Sequence, residues 1–150
     1  MSEQDKRDCN LIVISVVESF ASKHNMASKD VLALFKQHNL LETIRSQYAV
    51  LHMLDLDEAE EFAENILQVK SCSEFTSKFV YKGMDITLDT YEKIRMVVEL
   101  IAEKENISFD EAYELFSVSN AYWCLQTPAT LMWAESAEFI VDEFYREKVA

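Results

Sequence analysis

The side chains in this sequence that could do chemistry fall into a few groups. Tyr48 and His52 stand four residues apart, so on a helix they share one face. As a pair they could grip a partner. The plainer alternative is a core aromatic with a wet hydroxyl and a helix-end imidazole bonded to a carbonyl. Asp55, Asp57, Glu58, Glu60, Glu61 and Glu64 put six acids into ten positions without a base. Of these, Asp57, Glu60, Glu61 and Glu64 fall on one helical stripe, to be read as a solvated face, a docking strip for basic side chains or a divalent-cation site. The metal reading lacks its motifs. An EF-hand loop needs Gly at its sixth position, where Glu60 sits if Asp55 is first. Di-iron bundles need paired Glu-x-x-His, which the chain does not contain. Trp123 and Trp133 are either core aromatics or anchors for a partner, since Trp is enriched where binding energy concentrates.

Enzyme signatures are sparse. One glycine, Gly83, leaves no phosphate-cradling loop, and neither His-Glu-x-x-His nor Gly-x-Ser-x-Gly occurs. Cys9, Cys72 and Cys124 are odd in number, far apart and outside any zinc spacing, which predicts reduced thiols in a cytoplasmic protein. No cofactor, no metal and no catalytic residue is expected. The net charge is −13, divided between 7 bases and 13 acids in residues 1–75 and 7 bases and 14 acids in residues 76–150. An evenly acidic surface repels phosphate backbones and anionic lipid, so direct nucleic-acid and membrane partners are disfavoured and a basic protein partner is favoured. The longest apolar stretch, Leu11 to Val17, is far shorter than the ~18 residues that cross a bilayer. The oligomeric state is not legible.

The elements that must position these residues are helices. With one Gly and one Pro, Pro128, the chain has little to spend on sheet turns. Sliding it by 81 positions brings Val16, Val17, Glu18, Ala21, Lys23, Asn25, Leu34, Phe35 and Asn39 onto Val97, Val98, Glu99, Ala102, Lys104, Asn106, Leu115, Phe116 and Asn120. That is nine identities in 24 positions, where average usage gives about one or two. Tandem duplication accounts for the excess: a first repeat over residues 1–68, a connector over 69–88 and a second repeat over 89–150.

Each repeat reads as four helical segments. In the first, Leu11, Ile14, Val17 and Ala21 line a helix ending near His24. Ser28 caps a second helix carrying Val31, Leu34 and Phe35. A third covers Leu40 to about Val50, and Asp55 with Glu58 opens a fourth through Leu67. In the second, Asp89 with Glu92 and Ser108 with Glu111 are helix-opening pairs. The third segment stops near Thr127, before Pro128. The last, near Ser136 to Glu147, buries Ala137, Ile140, Val141 and Phe144. Residues 79–86 have the makings of a small hairpin turning at Lys82-Gly83. The fold class is all-α, with the two diverged units packed together because each alone would expose apolar surface.

The first repeat resembles a family of small, uncharacterised bacterial helical proteins defined by a domain of unknown function. Its members have an opening apolar helix, a short second helix and a Tyr-x-x-Leu-His motif before an acidic helix. Here the motif is Tyr48-Ala49-Val50-Leu51-His52, ahead of Asp55 to Leu67; the second repeat has Ala129-Thr130-Leu131-Met132-Trp133 in its place. The resemblance implies no activity. Members are often encoded beside ADP-ribosyltransferase-like toxin domains, which implies an antitoxin-like or accessory role.

The functional expectation is therefore a protein-interaction module that binds a partner through an acidic helical surface. Tyr48, His52, Asp57, Glu60, Glu61, Glu64, Trp123 and Trp133 are its candidate contacts. The alternatives are a helix-turn-helix regulator and, behind it, a metal-dependent enzyme. Against the regulator, Ser108 to Ser117 carries Asp110, Glu111 and Glu114 and no base, where a recognition helix needs a basic footprint.

Overall fold

The computed structural model describes residues 2–47, 56–67 and 79–149, with residues 56–60, 62 and 149 described by backbone alone. These form eight α-helices and one two-stranded ribbon, so the described residues are mostly helical. The chain divides into two compact units, Met1–Thr76 and Ser77–Ala150.

The first unit is organised by its opening helix, α1 (Glu3–Lys23). A reciprocal cap starts it: the Asp5 amide donates to Ser2 Oγ at 3.1 Å and the Ser2 amide to Asp5 Oδ2 at 3.2 Å. Every residue from Ile12 to Ala21 is buried. A helix buried on all sides belongs at the centre of its bundle, although Ser15, Glu18 and Ser19 are polar, and α2 (Ser28–Gln37), α3 (Leu40–Ser46) and α4 (Leu56–Leu67) all pack on it. The helix stops where Asn25 turns left-handed (φ 52°), letting the Met26 amide reach back to the Ala21 carbonyl at 2.9 Å. Phe35, fully buried, meets the edge of Phe20 with centroids 5.2 Å apart.

One boundary in this unit differs from expectation. Ser28 does not cap α2. Ala27 holds the extended cap backbone (φ −72°, ψ 145°), so Ser28 is already inside the first turn and buried. The third helix is described over Leu40–Ser46, with the Gln47 amide on the Thr43 carbonyl at 3.1 Å; its expected end near Val50 lies outside the described residues. The proposed Asp55 cap lies outside the described residues.

The second unit begins with the ribbon, β1 (Val80–Tyr81) against β2 (Met84–Asp85), antiparallel, Val80 opposite Asp85 and Tyr81 opposite Met84. Lys82 and Gly83 both have positive φ (49° and 80°), as a type I′ turn requires. So short a ribbon needs packing to persist. Buried Phe79 and Ile86 clamp its base, with the Ile86 amide donating to the Phe79 carbonyl at 2.9 Å, and Phe79 stands edge-on to Tyr91.

The ribbon also sets the start of α5 (Thr87–Glu105), two residues before the expected Asp89 pair. The Thr87 amide donates to Asp85 Oδ1 at 3.0 Å, so the acid at the ribbon's end takes the role assigned to Asp89. Ile94, Val97, Val98 and Ile101 are buried as the periodicity requires. The helix ends as α1 does, with left-handed Asn106 (φ 55°) and the Ile107 amide on the Ala102 carbonyl at 3.0 Å. Ser108 caps α6 (Phe109–Ser117), accepting from the Glu111 amide at 3.1 Å, and Ser119 caps α7 (Asn120–Leu125). Before Pro128 the helix stops, and two 3-10 turns, Pro128–Thr130 and Met132–Ala134, follow, joined by left-handed Leu131 (φ 60°). The last helix, α8 (Ala137–Val149), buries Ala137, Ile140, Val141 and Phe144 as expected. The unit's core closes on Phe116, edge-on to both Tyr122 and Phe144. Among the described residues no helix is long and apolar enough to cross a membrane.

Candidate functional site

Tyr48 and His52 lie outside the described residues, as do the side chains of Asp57 and Glu60. The rest of the acidic stripe separates. Glu61 is exposed, but Glu64 is 5% exposed and its Oε2 lies 2.8 Å from His24 Nε2. The His24 ring in turn lies on Phe20, centroids 4.1 Å apart. Glu64 is thus corrected from a surface contact to a tie between α4 and the end of α1. The spacing rightly puts it beside Glu61, but the stripe crosses the edge of the buried face. Sequence reasoning passed over His24, whose partner is forty residues away and marked by no motif.

The two tryptophans also part company. Trp133 is half-buried: its Nε1–H donates to the Pro128 carbonyl at 3.0 Å and its ring lies against Tyr81, centroids 5.7 Å apart. Trp123 is 63% exposed on α7. Just before it, α6 and its C-cap turn an outer stripe to solvent at i, i+4 and i+7: Glu111 and Leu115 on the helix and Val118 just past its end are all exposed. Val118 and Trp123 are the N′ and N4 positions of α7, the pair that a hydrophobic staple brings together. At 67% and 63% exposure, both still offer most of their surface to solvent.

The stretch of chain that carries this patch has charge of one sign. From Glu105 to Glu143 the chain carries eight acids, and no Lys, Arg or His occurs between Lys104 and Arg146. Such a run was legible in the sequence; the exposure of Leu115 and Val118 within it was not. The aligned positions of the first unit differ: Gln37 stands for Val118 and Glu42 for Trp123, with Lys36 beside them.

At the margins of the run, the Tyr145 hydroxyl donates to Glu105 Oε1 at 2.7 Å, and Lys104 Nζ sits 4.2 Å from the Tyr145 ring centroid. Partial burial, and then the hydrogen bond to the Glu105 carboxylate, push the phenol up to about 12. Cys9 and Cys124 are free thiols, the first buried and the second half-buried. Among the described residues no group of three or more His, Cys, Asp and Glu side chains is arranged to hold a metal ion.

The arrangement leaves an apolar side chain, Trp123, exposed within a stretch of chain whose charged residues are all acidic. Residues 12–70 match the model of a family described as a protein of unknown function, DUF3791, a span that begins within α1, takes in α2 to α4 and stops short of the second unit. No curated protein and no solved structure matches the chain.

Proposed function

We propose that this protein is an interaction module of the cytoplasm that holds a basic protein partner on the α6–α7 face of its second unit. The observation that carries this reading is Trp123, largely exposed within a stretch of chain that has no positive charge. Covering the exposed part of an indole would contribute about 3 kcal/mol at ordinary transfer values. The carboxylates of α6, Asp110, Glu111 and Glu114, would steer a basic surface toward it and turn away nucleic acid. An antitoxin-like or accessory role is consistent with such binding.

The two units descend, on this reading, from one duplicated ancestor. Nine identities at a shift of 81 support it, and so do the matched helix ends at Asn25 and Asn106, each with the same backward bond to an alanine carbonyl. The differences then fall where a function would be acquired. Buried Phe35 and Phe116 stay the same, while Gln37 and Glu42 give way to Val118 and Trp123.

Affinity capture from the native host tests the reading, using the wild-type chain, Trp123→Ala and a triple variant with Asp110, Glu111 and Glu114 changed to Lys. The wild type should retain a basic protein at low salt that both variants lose while melting normally. Recovery of the same proteins by all three would refute it.

A further inference from the structure

A groove of about 480 Å³ runs between α5 and α8. Its construction is regular. The first helix contributes Leu100, Glu103 and Lys104 and the second Glu138, Val141 and Asp142, each set at i, i+3 and i+4, so each presents one face to the same space. Leu100 is half-buried and Val141 buried, which makes an apolar floor, while Glu103, Glu138 and Asp142 are exposed along the rim. Lys104, the one base in the lining, has its ammonium over the Tyr145 ring. The three rim carboxylates have no ion pair or side-chain hydrogen bond among the described residues.

We infer that this groove receives an amphipathic basic helix of the partner protein, an inference that rests on the binding function proposed above. Charge complementarity selects the occupant. Arginine and lysine have apolar stems and charged heads, so their methylenes would cover Leu100 and Val141 while the heads meet Glu103, Glu138 and Asp142. A second copy of this chain, at net charge −13, would meet the rim with like charge.

The probe is a synthetic amphipathic helical peptide with leucines on one face and arginines on the other, titrated by calorimetry against the full-length chain at low salt. The protein forms compared are the wild type, Glu138→Lys/Asp142→Lys in the groove, a charge-matched control, Glu3→Lys/Asp30→Lys, in the first unit, and Trp123→Ala. The expected result is binding by the wild type and the control, with affinity lowered about tenfold or more, that is about 1.4 kcal/mol or more, in the groove variant. A peptide with glutamates for arginines should not bind. Several outcomes overturn the groove: no binding to wild type, equal weakening in the charge-matched control, undiminished binding to the groove variant, or binding of the glutamate peptide. If Trp123→Ala abolishes binding while the groove variant binds like wild type, the groove is wrong and the α6–α7 face stands. Loss through the groove variant alone supports the groove and leaves the Trp123 reading to the capture experiment.

Discussion

Replacing Phe116 by Ala should destabilise the second unit by about 4–5 kcal/mol, the upper part of the range for large-to-small aromatic changes in a core. The side chain is fully buried, and its ring is held edge-on by Tyr122 on α7 (5.4 Å, 79°) and by Phe144 on α8 (5.9 Å, 74°). Those two rings sit on different helices, each capped independently, so neither can move in to fill the space without dragging its helix along. A volume-conserving change, Phe116→Leu, should cost less than about 1.5 kcal/mol. Trp123→Ala, a truncation of an exposed side chain, should stay within about 0.5 kcal/mol of wild type. Both tryptophans lie in the second unit, so urea unfolding followed by indole fluorescence reports that unit directly. For a unit of this size a 4 kcal/mol loss should also lower the melting temperature by on the order of 20 °C. A Phe116→Ala variant within about 1 kcal/mol of wild type, or one no worse than Trp123→Ala, would refute the assignment of core and surface on which the binding face depends.

Other perturbations have equally definite outcomes. Glu64→Ala takes the buried partner from the half-buried His24 imidazole and should cost about 1.5–3 kcal/mol in urea unfolding, with Glu64→Gln recovering part because an amide can still bond the ring. Gly83→Ala should cost about 1–2 kcal/mol from backbone strain alone, since φ is +80° and no atom lies within 4 Å of the added methyl; a larger loss would point to a clash instead. In ultraviolet titration one phenol should ionise near pH 12, above the usual ~10, and return toward the others in Glu105→Gln. Because the folded value is raised, the stabilisation from this bond is complete below the unfolded value near 10 and is lost as pH climbs through about 12.

Helix content and most helix cores were readable because apolar residues recur at helical spacing and are then found buried, as with Ile94, Val97, Val98 and Ile101. The ribbon at Lys82-Gly83 was readable for a different reason: the chain's one glycine stands between two short apolar runs. Starts of helices were less so. Ser28 and Asp89 have the right chemistry for caps, but the cap is decided by backbone already fixed next door, the extended Ala27 in one case and the ribbon ending at Asp85 in the other. The candidate contacts were read from residue type, and type does not report orientation. Glu64 and Glu61 adjoin on one helix yet one is buried against half-buried His24, and Trp133 is half-buried against Tyr81 while Trp123 is open to solvent. Leu115 and Val118 escaped notice because an apolar residue at helical spacing reads as core until the opposite face is seen to be full.

The bond between Tyr145 and Glu105 has a bearing on how this protein could be rebuilt. It fastens together the two ends of the acidic run, so that α6, α7 and the 3-10 turns form a circuit leaving and returning at one point. Opening that circuit at exposed Ala129 would leave both severed arms anchored, one through α7 and the other through α8. New chain ends, or a reporter graft, could therefore be installed there while Trp123 keeps its place on α7.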